Sequence, residues 1–195
     1  CVAPQALTVN SRIKPGDTVV IQGVGTIGIM ALQIARISGA GVILMLGTDV
    51  DTQRLEVAEE LGADYTVNVQ RDDAAGLLHA LGDGFGADVV VDCTGVSAAL
   101  KQALDLVRPL GSVVKIGWGP QPLNFSLDPL VAKAATLQGS FSHTYATWER
   151  VLQLMATGQL NLDPMIGGVY PLDDWEVGFH AMASGENVKS VLVYE

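Results

Sequence analysis

Apolar positions along the chain fall into short unbroken runs separated by stretches with helical spacing. Thr18-Val19-Val20-Ile21-Gln22 follows the turn Lys14-Pro15-Gly16-Asp17 and predicts a strand buried on both faces. Beyond it, Ile27, Met30, Ala31, Ile34 and Ala35 repeat at intervals of three and four, which predicts a helix over residues 27–38 that Gly39 and Gly41 end. Residues 42–46, Val-Ile-Leu-Met-Leu, are the next strand. The alternation continues with a helix over 51–61, a strand over 65–67, a helix over 72–81, a strand over 88–92, a helix over 97–107 and a strand over 112–116.

After Gly117 the texture loosens around Pro120, Pro122 and Pro129. A helix over 129–135, a strand over 137–141 and a helix over 146–157 are predicted there, then a Pro/Gly-rich connection, a helix over 173–184 and a closing strand over 190–194. Strands buried on both faces and joined by helical crossovers make a parallel sheet with helices on both sides. Right-handed crossovers then give a doubly wound α/β fold, the three-layer Rossmann arrangement. The closing segment is expected to extend that same sheet, so residues 1–195 read as one domain.

The first helix carries candidate chemistry at its mouth. Gly23-Val24-Gly25-Thr26-Ile27-Gly28 is a G-x-G-x-x-G placed between a strand and an amphipathic helix, the context that gives this otherwise weak string meaning. Gly23 makes the turn off the strand, Gly25 lets a pyrophosphate approach bare backbone, and Gly28 lets the helix pack closely. Amide groups at the helix start, with Thr26 and Ile27 among them, would hold the diphosphate of a dinucleotide. A P-loop needs Lys-Ser/Thr after its last glycine, and Ile29-Met30 follow Gly28 instead. A methyltransferase remains a rival, since it too uses a glycine turn and an acid ending the second strand.

That acid is absent from its expected place. A ribose-binding carboxylate stands roughly 20 residues after the loop, and 19 residues beyond Gly28 is Gly47. Thr48 and Arg54 could accept a 2′-phosphate there, whereas Asp49 and Asp51 could restore preference for a free ribose. On this reading NADP is at least as expected as NAD.

Charge and composition narrow the partners. Eleven Lys and Arg against 21 Asp and Glu leave a net charge of −10, which repels nucleic acid and anionic membrane surfaces. At 49% apolar the chain can bury a core, yet no run approaches the ~18 residues of a membrane span. Cys1 and Cys93 form no disulfide framework and no metal knuckle, which suits a reducing, cytoplasmic home. The chain opens on Cys1 rather than Met, and it is expected to be a piece of a longer protein.

The ordered set of motifs resembles the cofactor domain of the medium-chain, zinc-type alcohol dehydrogenase superfamily, its sorbitol (polyol) and threonine dehydrogenase branch in particular. The resemblance runs over essentially the whole chain. It is carried by Lys14 to Val19, the loop Gly23 to Gly28, the stretch Arg54 to Asp64, Asp92-Cys93-Thr94-Gly95, Gly111 to Val114, and Gly139-Ser140-Phe141. It implies hydride transfer between an alcohol and a nicotinamide dinucleotide, NAD or NADP. It also implies a catalytic zinc supplied by an N-terminal catalytic domain missing from this chain, of whose connection residues 1–14 would be the remnant. Position by position, Ile27 resembles the loop residue at the diphosphate and Arg54 the basic residue beside the adenosine ribose. Cys93, Thr94 and Gly95 match the fourth-strand turn along the cofactor. Ile116, Gly117 and Trp118 match the fifth-strand end near the nicotinamide, and Ser140, Phe141 and Ser142 the segment at its carboxamide. The family also implies dimerisation through this domain, and the outer strand over 137–141 could pair with a copy of itself.

Departures from the pattern matter as much. Gly47 replaces the usual acid, and Ser142 and His143 stand where polyol dehydrogenases tend to carry Arg and Tyr. His79, His143, His180, Cys1 and Cys93 show no ligand spacing, so no metal site is assigned within this chain. His143, beside the expected nicotinamide, is the one candidate for touching substrate, with a surface histidine the competing reading. Cys93 reads as a small buried filler rather than a nucleophile. A short-chain-reductase Tyr-x-x-x-Lys pair is excluded, because Tyr145 is followed four residues on by Glu149 and Tyr65 by Val69. A zinc-free quinone or enoyl reductase of the same superfamily, or a stand-alone dinucleotide-binding module, stays open as an alternative.

Overall fold

A computed structural model describes residues 1–11 and 13–194. A short helix α1 (Val2–Pro4) passes into a π-helical stretch, Gln5–Asn10. Strand and helix then alternate through β1 (Thr18–Gln22), α2 (Thr26–Ile37), β2 (Val42–Gly47), α3 (Thr52–Glu60), β3 (Tyr65–Asn68) and α4 (Ala74–Leu81). The series continues through β4 (Ala87–Asp92), α5 (Ser97–Leu106), β5 (Val107–Lys115), α6 (Asp128–Ala132) and β6 (Thr136–Gly139). These six strands form one parallel sheet in the order β3-β2-β1-β4-β5-β6. Strand order reverses between β1 and β4, the switch point at which such sheets open a crevice at their carboxyl ends.

The continuous apolar runs make sense in this setting. Successive residues of a strand face opposite sides of the sheet. Val19, Ile21, Ile43, Met45, Val89 and Val91 therefore enter one core with Ile29 and Leu32 of α2. Val20, Leu44, Leu46, Val90 and Val113 enter the other with Leu78 of α4 and Leu100 and Leu104 of α5. Ala3, Ala6 and Leu7 are buried in the first of these cores, so the N-terminal turn is an integral part of the packing.

The structure corrects three expectations. The fifth strand begins at Val107, not Ser112: Val107 pairs with Ala87 and Ser112 with Val89, so residues 108–111 bulge out opposite Asp88 alone. Leu110 sits there at φ 61°, between Pro109 and Gly111 within the bulge. The helix expected to reach 135 stops at Ala132, because Ala134 adopts φ 47°. The third correction is the largest. After α7 (Tyr145–Ala156), the chain forms β7 (Ile166–Pro171), α8 (Trp175–Ala183) and β8 (Lys189–Val193), and β7 and β8 pair with each other as a separate two-stranded parallel sheet. The closing strand thus does not extend the main sheet.

This second unit is tied to the first near the crevice. The Thr26 hydroxyl donates to the Val188 carbonyl at 2.8 Å. Arg54 donates to the carbonyls of Met182 and Asn187, the latter at 2.9 Å. Among the described residues no helix is long and apolar enough to cross a membrane.

Candidate functional site

The glycine loop has the geometry its spacing predicts. Gly23, at φ 92°, turns the chain off β1, and its amide donates to the Leu46 carbonyl at 2.9 Å. A side chain at Gly28 would overlap the Gly23 carbonyl, so this glycine lets α2 sit directly on the turn. Gly25 is the N-cap of α2, and no side chain caps the helix. The first-turn amides have no intrahelical acceptor by construction. A methyl group placed on Gly25 would meet nothing within 4 Å, so the helix opens onto free space. Those two facts describe a cradle for an anion, with the positive end of a 12-residue helix behind it. Thr26 contributes its amide only, since its hydroxyl is held by Val188.

Beside this cradle lies a cavity of about 350 Å³ between the carboxyl ends of β1 and β2 and the first turns of α5. Gly23, Gly47, Thr48 and Thr94, four of the residues proposed from sequence, line it. So do Asp51, the second carboxylate weighed at the ribose, and Gln22, Ala99 and Gln102, which the sequence pattern did not single out. The one sequence signal for Gln22 was a polar residue ending a strand otherwise made of Val and Ile.

Near the end of β2 a carboxylate comes from Asp51 rather than from position 47. A side chain on Gly47 would press on Val24 at 2.9 Å and on the Cβ of Asp51 at 3.1 Å. Asp51 therefore occupies the side of the cavity from which a strand-end acid would reach. Its carboxylate accepts from the Thr48 amide at 3.0 Å and the Thr48 hydroxyl at 2.8 Å, closing a capping box. Arg54 is turned away: beyond its two carbonyl partners its guanidinium meets Asp51 at 3.3 Å, and it does not line the cavity. Asp49 points to the rim, where the Asn68 amide at 2.6 Å and the Arg71 guanidinium at 2.7 Å hold its carboxyl below the usual carboxylate range.

Toward the opposite edge, Asp92 organises the wall. Fully buried at the end of β4, it accepts from the Thr94 amide at 2.9 Å, the Thr94 hydroxyl at 2.7 Å and the Gly95 amide at 3.3 Å. Its other oxygen takes the Lys115 ammonium of β5 at 2.7 Å. Gly95, at φ 75°, lies backbone to backbone with Gly117 and Trp118, so the β4 and β5 turns lock together. Burial, with the Asp92 charge adding to it, pushes the Cys93 thiol well above its ordinary range, which disfavours the thiolate a nucleophile needs.

Beyond this lock, Ile27, Ile116, Trp118, Ser140, Phe141, Ser142 and His143 surround a shallow hollow of about 390 Å³. The rings of Trp118 and Phe141 stand 5.5 Å apart and are 79% and 74% exposed. Ser140 is buried and accepts from Asn10 at 2.9 Å, while Ser142 takes φ 58° as the chain turns toward α7. His143 borders the same hollow and stacks on Trp148 at 5.6 Å, so the structure does bring the one catalytic candidate to this edge.

Among the described residues no group of three or more His, Cys, Asp or Glu side chains is placed to hold a metal ion. A catalytic zinc needs about three such ligands. The described residues do not fit one.

The chain has recognisable relatives among known proteins. It belongs to the zinc-binding dehydrogenase family, whose model matches residues 26–157. A sorbitol dehydrogenase from Halalkalibacterium halodurans is 36% identical over 183 residues, covering 93% of this chain and 53% of that enzyme. An L-threonine 3-dehydrogenase from Aeromonas salmonicida is 33% identical over 181 residues, covering 92% of this chain and 52% of the enzyme. Among solved structures, an alcohol dehydrogenase from Thermotoga maritima superposes with a TM-score of 0.91 at 30% identity, across all of this chain and 54% of its own. The chain thus spans about half the length of the curated relatives it matches, and those relatives are oxidoreductases.

Proposed function

We propose that this chain is the cofactor-binding half of an NAD(H)-dependent alcohol or polyol dehydrogenase. The observation that carries the reading is the uncapped mouth of α2, with Gly25 facing free space and Gly28 packed on Gly23. The α2 amides would hold the diphosphate, and Thr48 and Asp51 the adenosine ribose. Ile116, Gly117, Trp118 and the 140–142 segment would set the edge on which the nicotinamide lies. When bound, the dinucleotide supplies the hydride acceptor or donor; this chain supplies position and electrostatics.

NAD(H) is preferred over NADP(H) in this reading. Asp51 brings a carboxylate to the cavity, while Arg54, the residue on which phosphate acceptance rested, is engaged elsewhere. The catalytic zinc and most substrate contacts belong to a further catalytic domain, as the half-length match to full dehydrogenases suggests. The outer strand β6 has one neighbour in the sheet, and its open edge is the proposed surface for pairing with a second copy.

Binding and turnover test this separately. Calorimetry should give saturable binding of NADH and weaker binding of NADPH. The same chain should oxidise neither sorbitol nor threonine, with or without added zinc. Tighter NADPH binding would overturn the nucleotide preference, and turnover would overturn the half-site reading.

A further inference from the structure

The N-terminal turn is wound in an uncommon register. Gln5–Asn10 form a π-helix, closed where the Ser11 amide donates to the Ala6 carbonyl at 2.9 Å. Turns of this i→i+5 kind are rare and occur frequently at functional sites. In an α-helix, at about 3.6 residues per turn, a residue five positions on faces another way. Here Asn10 returns to the side of Gln5, and Gln5 Nε2 donates to Asn10 Oδ1 at 3.2 Å.

Both side chains reach the connection between β6 and α7, at least 130 residues away in sequence. Gln5 is buried, and its Oε1 accepts from the Thr147 hydroxyl at 2.6 Å and the Thr144 amide at 3.3 Å. A backbone amide only donates, so it decides which end of the Gln5 side chain faces it. Gln5 must then donate to Asn10, and Asn10 Nδ2 donates in turn to the Ser140 hydroxyl oxygen at 2.9 Å. The relay therefore runs in one direction, from Thr144 through Gln5 and Asn10 to Ser140.

These bonds grip the connection at both ends of its bend. Ser140 is held two residues before Ser142 and Thr144 two residues after it, and Ser142 itself takes φ 58°. A serine keeps that left-handed conformation only where its surroundings impose it. Phe141, Ser142 and His143 line the hollow at the Trp118 end, and Val2 of the same N-terminal turn lines it with them. We propose that Gln5 and Asn10 are positioning residues, which act through Thr144 and Ser140 to set the 140–143 edge against which the nicotinamide lies. The inference rests on the dinucleotide reading above and adds two residues that line neither cavity of the crevice.

ADP-ribose carries every part of NADH except the nicotinamide, so it separates positioning of this edge from a general loosening of the chain. Calorimetry on the intact chain should give tighter binding of NADH than of ADP-ribose. Asn10→Leu should weaken NADH about fivefold, the worth of one ordinary hydrogen bond, and leave ADP-ribose unchanged. Asn10→Asp should restore NADH binding, because one carboxylate oxygen accepts from Gln5 Nε2 and the other from the Ser140 hydroxyl, which can turn to donate. Gln5→Leu should repeat the Asn10→Leu result, and Asn10, only half-buried, carries the test if Gln5→Leu does not fold. Equal affinities for the two ligands in the unaltered chain, a parallel loss of both in Asn10→Leu, no loss of either, or an Asp variant as weak as the Leu variant would overturn the positioning role alone. If neither ligand bound the unaltered chain, the cofactor assignment would fall and this inference with it.

Discussion

The two ends of the crevice are finished to different degrees. Near Gly47 the cavity has walls from three elements, and its polar groups are fixed by hydrogen bonds within the chain. Near Trp118 the hollow is shallow, and its two largest rings lie mostly in solvent. A wall that excludes water on one side only is half of a site. On the proposed reading, grip on the adenosine part of a dinucleotide falls to the Gly47 end. On the same reading, the nicotinamide would lie at the Trp118 end, where the described residues leave the hollow open.

The sharpest way to break this contrast is to remove the partition between the ends. Asp92→Ala leaves the Lys115 ammonium and the Thr94 and Gly95 donors without their acceptor, and it should destabilise the chain by about 3–5 kcal/mol in urea unfolding. A loss under 1 kcal/mol would show that the partition is not built on this carboxylate.

Gly25→Asp comes next. Its side chain enters open space, so the melting temperature should stay put, while dinucleotide affinity falls roughly a hundredfold as a carboxylate fills the cradle. Arg54→Ala should cost about 1.5 kcal/mol, because two carbonyls lose charged donors. It should leave the NADH-to-NADPH affinity ratio unchanged. A selective loss of NADPH binding would return Arg54 to the phosphate role its position suggested.

Smaller effects fall at the open end and the rim. Trp118→Ala and Phe141→Ala touch exposed rings, so stability should change by less than about 0.5 kcal/mol. Binding of ADP-ribose, which lacks the nicotinamide, should be unaffected. Smallest is the acid response of Asp49, whose folded carboxyl titrates below its ordinary value of 3.8, chiefly through the Asn68 hydrogen bond and then Arg71. A depressed folded value stabilises above the unfolded value and is lost as pH falls through the folded one. Asp49→Asn should therefore destabilise slightly at pH 5, with the difference from the unaltered chain fading toward pH 2.

Sequence pattern revealed the sheet best at β1, β2 and β4, which are buried on both faces and carry unbroken apolar runs. It missed β7, where Gly167, Gly168 and Pro171 look like loop. Those glycines are there because the Asn187 side chain and the Tyr170 ring pack against them. Loop glycines were legible for the same local reason: turn, approach and packing are all decided within six residues. Contacts between distant positions were not. Gln22 meets Gln102 across 80 residues, and Arg54 meets Asn187 across 133. Neither partnership leaves a periodicity, so the sequence offers Arg54 as a phosphate ligand and gives no sign of its bonds to the Met182 and Asn187 carbonyls.

Calorimetric titration of the unaltered chain and of Gly25→Asp with NADH reaches the central claim most directly. One molecule should bind each unaltered chain saturably, and the heat should all but disappear in the variant while its melting curve overlays the parent. No saturable binding to the parent, or equal binding to both, would contradict the assignment of the α2 mouth as the dinucleotide cradle.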